Sequence, residues 1–519
     1  MSKTPSDSER PEAEKTGRRA FVFFGALAAA TMLPSAARAQ GRTRARSRRP
    51  EPVLKPPTLD HGAIAPNENV PAFAEWNADT DGLSRLVRRV TMGITPGEAA
   101  RAKAMGWNGY LTYQLNYTRI NDSAVENALA ARYPLTSLSS DQLFDADAGQ
   151  IATQLRESAI YRAAFSQRQL YQRMVEFWTD HFNQDLDKVG YLLVADQRDV
   201  IRKYAMTSFP QLLKASAHSA SMMVYLDQNV SSARAPNQNY AREIMELHTL
   251  GVDGGYTQDD VAELSRVLTG WTVTGKGQFT FNATVHDQKA KTVLGVAIQG
   301  QTGAAGQSEG EQVLDMLVTH PSTARFIATK MLKWMVTPTP SADQVTAIAS
   351  VYRSTGGDIK AMLRAMLNID WIMAAPMKLK RPFHLAVSSL RAMNANVSSV
   401  ATINNSLGTL GHQSFAWDTP DGYPDKIEYW AGNILPRWSF ASSLSSLNST
   451  TTIQVDPGMY RGSSPAATID IIDQGFFAGE MPAATRTALT AYAGTTTLSD
   501  AKIRELVGLA LASNSFQWY

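Results

Sequence analysis

Apolar residues in this chain cluster at steps of three and four far more often than they alternate, the spacing of helices that bury one face. In 205–226, Phe209, Leu212, Leu213, Met222, Met223 and Leu226 keep that step, and similar stripes run through 155–182, 260–268, 312–335, 341–373 and 382–393. Ser341, followed by Asp343, and Ser322, ahead of Phe326 and Ile327, are expected N-terminal caps, because a hydroxyl oxygen can accept from the free N–H groups of a first turn. Strand patterns are sparse: 278–281 and 292–298 predict one small hairpin around His286 and Asp287. The fold expected is mainly α, a large multi-helix domain with a small β-hairpin and long loops. The Gly-rich stretch 299–311 reads as a surface loop. Nothing after residue 70 looks like a second linker, and length favours more than one hydrophobic core.

The start of the chain follows a different pattern. Arg18 and Arg19 precede an uncharged run over 20–37, and Ala37-Arg38-Ala39 is a small-x-small cleavage signal. Residues 1–39 therefore read as a twin-arginine (Tat) export signal, which predicts a periplasmic or secreted protein. The run is weakly apolar and broken by Pro34, so no stable membrane span is expected after cleavage. Residues 40–70 hold Arg42, Arg44, Arg46, Arg48 and Arg49, then Pro50, Pro52, Pro56 and Pro57, the composition of a disordered, extended leader. The helical domain is expected over 71–519.

Charge and cysteine content narrow the chemistry. Taking away residues 1–39 removes six of 50 basic and four of 47 acidic residues and leaves a net charge near +1, which does not suggest a nucleic-acid partner. With no cysteine, disulfides, thiolate metal sites and cysteine nucleophiles are excluded. A metal here would need His, carboxylate or carbonyl ligands.

The densest chemistry lies in 237–271. On a regular helix over 239–250, Glu243 and Glu246 lie about 60° apart on one face, able to reach a common cation or to work as acid and base. Arg242 lies about 40° from Glu246, within reach of an i,i+4 ion pair. His248 lies about 140° from Glu243, so a Glu-x-x-Glu-x-His metal site requires a distorted last turn. The alternative is a buried ion-pair network with no guest. Gly251 is expected to stop this helix in the left-handed conformation, and Thr257 with Asp260 to open the next as a capping box. Three further places could converge on it: His181, Asn183 and neighbours in 177–185; His218 with Asp227; and His286-Asp287. Histidine with carboxylate is the donor set for a divalent metal or for acid–base chemistry. The residues 270–276 approach a phosphate-binding loop, but Gly277 stands where the magnesium-holding hydroxyl belongs, and no zincin or serine-hydrolase motif occurs. Aromatic and polar residues over 415–438, with Trp417, Tyr423, Trp430 and Trp438, either stack against sugar rings or plug the helical core.

These motifs, in order, resemble the DUF1800 family of exported bacterial proteins of unknown function. The resemblance rests on 83–93 (LSRLVRRVTMG), 177–183 (FWTDHFN), 239–271, His286-Asp287, 320–326 (HPSTARF), Lys380-Arg381-Pro382, 420–424 (PDGYP) and 511–517 (LASNSFQ). Ser219 and Gln228 stand where Pro and Asn are expected, and His412 interrupts a Gly-Gln motif. The resemblance implies a mainly helical protein without an assigned reaction, and a sulfatase-like exported partner. The site expected is a polar pocket of His181, Asn183, Asp227, Arg242, Glu243, Glu246, His248, His286 and Asp287. Within it Glu243 and Glu246 would ligate a divalent metal or act as acid and base, His181, Asn183, His286 and Asp287 would complete the shell, and the substrate would be extracellular carbohydrate or its ester. The rival is a non-catalytic binding or assembly factor.

Overall fold

The computed structural model describes residues 82–446 and 452–519. The export signal and the Arg/Pro-rich leader lie outside the described residues. What is described is mainly α, with three two-stranded antiparallel pairs. None of its helices is long and apolar enough to cross a membrane.

The predicted stripes are helical but interrupted, and each break has a local cause. The stripe over 155–182 becomes Ala148–Phe165 and Gln169–His181, because Asp122 takes the Ser166 hydroxyl at 2.6 Å and the Gln167 N–H at 3.0 Å. Over 312–335 the break falls at Pro321, which has no N–H to continue a helix. There His320, not Ser322, is the cap: its Nδ1 accepts from the Ser322 N–H, and the Ser322 hydroxyl donates instead to the Gly254 carbonyl. Ser341 does cap its helix, Ala342–Thr355, in a box closed by Gln344 rather than Asp343. Gly356-Gly357 and Asn368 then divide the rest of that stripe. The helix Pro382–Met393 has the predicted bounds, and all twelve of its residues are buried.

The expected single hairpin is two separate ones: Trp271–Val273 pairs with Phe279–Phe281, and Lys291–Val293 with Val296–Ile298. Each strand is three residues long, so each finds its partner across its own turn. The stretch 299–311 is not simply a surface loop either. A helix begins at Gln307, and Glu309 is buried, accepting from Lys291 at 2.5 Å and from the Gln301 N–H at 2.6 Å.

The described residues form two hydrophobic cores. One runs from Leu83 through Trp178, Met222 and Trp271 to Ile372; the other packs the Pro382–Met393 helix against Ile160, Tyr460 and the C-terminal helices. The Ala148–Phe165 helix contributes to both. Among the described residues two stretches are π-helical, Asp196–Arg202 and Ile244–Thr249. A π turn admits an extra residue and re-aims the side chains beyond it, a distortion that recurs at functional sites.

Candidate active site

The site is organised by the last two turns of the Gln169–His181 helix. Arg173, Glu176 and Asp180 follow one another at steps of three and four and share a face. Arg381, the residue before the buried Pro382–Met393 helix, reaches across to them: Nη2 donates to Glu176 at 2.5 Å and Nη1 to Asp180 at 2.6 Å. The same Nη1 donates to the Tyr423 carbonyl at 3.3 Å, and the guanidinium lies 4.5 Å from the centre of the Trp334 ring. Burial alone would lower the Arg381 pKa, yet Asp180 and Glu176 raise it, so its charge is fixed.

The segment 415–425 closes over this helix end. Asn183 donates to the carbonyls of Trp417 and Thr419, both at 2.8 Å, and the Tyr225 hydroxyl donates to the Asp418 carbonyl. Gly422 has φ +74, and a Cβ there would lie 2.1 Å from the Asp180 carbonyl oxygen, so only glycine lets the two backbones meet. Asp421 is exposed and accepts from Trp417 Nε1 at 3.0 Å and from the Thr419 hydroxyl at 2.6 Å. Trp417, Tyr423, Trp430 and His412 pack on one another; the rings of His412 and Tyr423 are 4.3 Å apart. His412 has a further structural task, since its Nδ1 accepts from the Phe383 N–H.

Between these elements and the Pro321–Met335 helix lies a cavity of about 620 Å³, lined by Asp180, His181, Lys330, Trp334, Asp421 and Tyr429 among others. Its size suits a small-molecule site. Lys330 is half-buried and makes no ion pair or hydrogen bond among the described residues. Burial lowers its pKa to about 8 against the opposing pull of Asp180 and Asp421. Asp180 moves the other way, to about 6, because burial outweighs Arg381 and Glu176 adds like charge. His181 is buried and held well below its usual pKa, first by burial and then by Lys330.

The Glu243 segment behaves differently from a regular helix. The α-helix Gln238–Glu243 passes directly into the π turn Ile244–Thr249, so the last turn is distorted as the metal motif required. His248 nevertheless goes to the core, not to Glu243: its ring lies 5.0 Å from Phe182, and burial lowers its pKa to about 3. The predicted Arg242–Glu246 pair does not form. Arg242 donates to Gln258 at 2.9 Å, while Glu246 accepts from Tyr256 at 3.1 Å, Tyr256 coming from the turn that follows and Gln258 from the start of the next helix. Glu243 is raised to about 7 by burial, by neighbouring Glu246 and by Asp421, with Arg242 opposing. Asp421 thus acts electrostatically on both Glu243 and Lys330. Gly251 has φ +83, and Thr257 with Asp260 closes the expected capping box.

The remaining candidates are engaged elsewhere. His286 receives or gives hydrogen bonds at Thr269 and at Glu309, the latter at 3.1 Å, and Asp287 is held by Arg266 at 2.8 Å. Asp227, at φ +57, pairs with Lys188 at 3.1 Å. His218 pairs with Glu311 at 2.6 Å, and Asn183 is a loop pin. Among the described residues no group of three or more His, Asp or Glu side chains is arranged to hold a metal ion, so the expected six-residue shell does not assemble. Ser219 and Gln228, which stand where Pro and Asn were expected, each have a local partner: the Ser219 hydroxyl donates to buried Asp196 at 2.5 Å, and Gln228 donates to the Leu268 carbonyl at 2.7 Å.

Sequence reasoning passed over Asp180, Lys330, Asp421 and Arg381 as site residues. Arg381 and Asp421 lay in the Lys-Arg-Pro and Pro-Asp-Gly-Tyr-Pro motifs, which was the available signal. Lys330 carried none: it reads as one more lysine on an amphipathic helix.

No curated protein and no solved structure matches this chain. A family profile does match, over residues 85–518, nearly all of the described chain. The chain therefore belongs to the family described as protein of unknown function (DUF1800).

Proposed function

We propose that this is a Tat-exported acid–base hydrolase acting on extracellular carbohydrate, at an ester or glycosidic linkage, with its site in the Lys330 cavity. The carrying observation is Lys330 itself: an amine in a cavity of about 620 Å³, unpaired among the described residues, its pKa lowered to about 8. Glu243, raised to about 7, lies outside the cavity lining but shares with Lys330 the field of Asp421, which does line it, and supplies the complementary group. Between these two values Glu243 is largely a carboxylate and Lys330 largely an ammonium, the states a base and an acid need. In the step proposed, Glu243 takes a proton from water, the hydroxide equivalent attacks the linkage, and Lys330 gives its proton to the departing sugar oxygen. Half-exposed Tyr429 offers a ring for stacking.

The test uses acetylated and unsubstituted oligosaccharides, with released acetate and new reducing ends as readouts. Lys330→Met and Glu243→Gln should each lower kcat by about 10²-fold or more with the fold intact. Absence of both products from the wild-type protein, or full turnover in both variants, rejects this reading.

A second reading has its own support. Ile427, Ile434, Leu435 and Trp438 expose apolar side chains within one short segment, Leu435 at 71% and Trp438 at 53%. Such a patch suits a binding or assembly factor docking an exported sulfatase-like partner. Leu435→Asp with Trp438→Asp should then abolish co-purification of that partner while Lys330→Met does not.

A further inference from the structure

Lys380 precedes Arg381 in the chain but serves a different cavity, of about 340 Å³, which it lines together with Arg88, Ser388, Phe477, Phe516 and Trp518. Its backbone N–H is fixed to the Gln517 carbonyl at 2.8 Å, and its Nζ lies 3.6 Å from the centre of the Phe516 ring. The residue is only 5% exposed, and its amine has no carboxylate or hydrogen-bond partner among the described residues. The charged groups around it are one-sided. Arg88 is paired with Glu480, the carboxylate that lines this cavity. Arg437 is buried, donates from Nη1 to Gln517 at 3.0 Å, and leaves Nε and Nη2 without partners among the described residues. Tyr519 also lines the wall. Two cations, Lys380 and Arg88, thus line the cavity with one carboxylate that is already committed, and Arg437 adds its positive field from outside the lining.

A buried ammonium without a counter-ion is costly, and the group sheds its proton instead. Burial, Arg88 and Arg437 all push the Lys380 pKa well below the ordinary lysine value. An anion entering the cavity would supply the missing partner and restore the proton. The walls, rich in Phe, Trp and Tyr, favour an anion that carries an apolar or aromatic body.

We propose that the Lys380 cavity is a second binding site, separate from the Lys330 cavity, for a small aryl or alkyl carboxylate whose oxygens pair with the Lys380 amine. Binding there is coupled to uptake of a proton by Lys380.

Calorimetry with phenylacetate at about pH 8, in two buffers of different ionisation heat, measures both quantities; an ordinary lysine, near 10.4, would already be charged and take up nothing. The wild-type protein should bind phenylacetate with net proton uptake, and inorganic sulfate about tenfold or more weakly because it leaves the aromatic wall uncovered. Lys380→Met should lose binding. Lys380→Arg should bind without uptake, since arginine keeps its charge, and it decides the matter if the Met variant does not fold. No heat up to millimolar phenylacetate, binding without proton uptake in the wild type, or binding lost in Lys330→Met and kept in Lys380→Met overturns the proposal.

Discussion

The His181 ring donates from Nε2 to the carbonyl oxygen of His248 at 3.1 Å. A carbonyl can only accept, so this contact assigns the Nε2–H tautomer and leaves His181 Nδ1 as an acceptor, buried and without a partner among the described residues. The π turn is what brings the two together: it places His248 against Phe182, at the end of the helix that carries His181. A contact of this kind couples the Glu243 segment to the floor of the Lys330 cavity, which His181 lines.

That arrangement predicts an acid-labile core. His248 is fully buried and its folded pKa is about 3, below the ordinary 6.5. The unfolded chain therefore binds the extra proton between those values, and stability is lost as pH falls from about 6.5 toward 3. Each such histidine contributes a slope of about 1.4 kcal/mol per pH unit across that window. His248→Gln should flatten the acid limb of urea-derived stability by roughly that slope. An acid limb with unchanged steepness would mean that His248 is not buried neutral.

The buried ion cluster makes a second prediction. Arg381 bridges two carboxylates that are themselves largely buried, Glu176 at 11% and Asp180 at 18% side-chain exposure. Arg381→Met leaves Asp180 without its cation and Glu176 with only Arg173, at 3.4 Å, and should destabilise the protein by about 3–5 kcal/mol in denaturant titrations. Arg381→Lys should recover only part of this, because a single ammonium cannot reproduce two donors in one plane. Full recovery by lysine would show that charge alone, not the fork, matters.

How much of this was legible beforehand depended on sequence distance. The Pro382–Met393 helix could be read to its ends, since proline marks its start and the apolar stripe its length. The capping box at Thr257 and the stop at Gly251 were equally readable, because each is decided by residues within one turn. The π turn was not: nothing in the spacing of Glu243, Glu246 and His248 announces an extra residue per turn. Nor was the cavity, whose wall draws Asp180, Lys330, Arg381 and Asp421 from four separate segments. His286 and Asp287 were attractive for their residue types, but their partners, Glu309 and Arg266, lie outside the motif and are decided by packing.

Gly422 supplies a third prediction. Its left-handed conformation and the 2.1 Å approach of a Cβ to the Asp180 carbonyl make alanine doubly unfavourable. The strain alone is about 1–2 kcal/mol, and relieving the clash requires the 415–425 segment to lift. Gly422→Ala should therefore expose Trp417 and Tyr423 to quenchers and speed amide exchange in this segment, with little change in the exchange of the Pro382–Met393 helix. Uniform acceleration across both would identify Gly422 as a determinant of global stability instead.

The fourth prediction concerns pH and activity. With Glu243 at about 7 and Lys330 at about 8, the rate of the proposed hydrolysis should rise as Glu243 ionises and fall as Lys330 loses its proton, giving a bell centred between the two. The variants then separate the limbs. Glu243→Gln should remove the acidic limb together with most of the rate, and Lys330→Arg should move the alkaline limb upward beyond the measurable range, since guanidinium stays charged. Asp421 acts on both groups, so Asp421→Asn should lower both apparent values: removing its negative charge makes Glu243 easier to ionise and Lys330 easier to deprotonate. The whole bell should shift toward acid. Movement of the two limbs in opposite directions, or of neither, would show that Asp421 does not link them and that the assignment of base and acid to Glu243 and Lys330 is wrong.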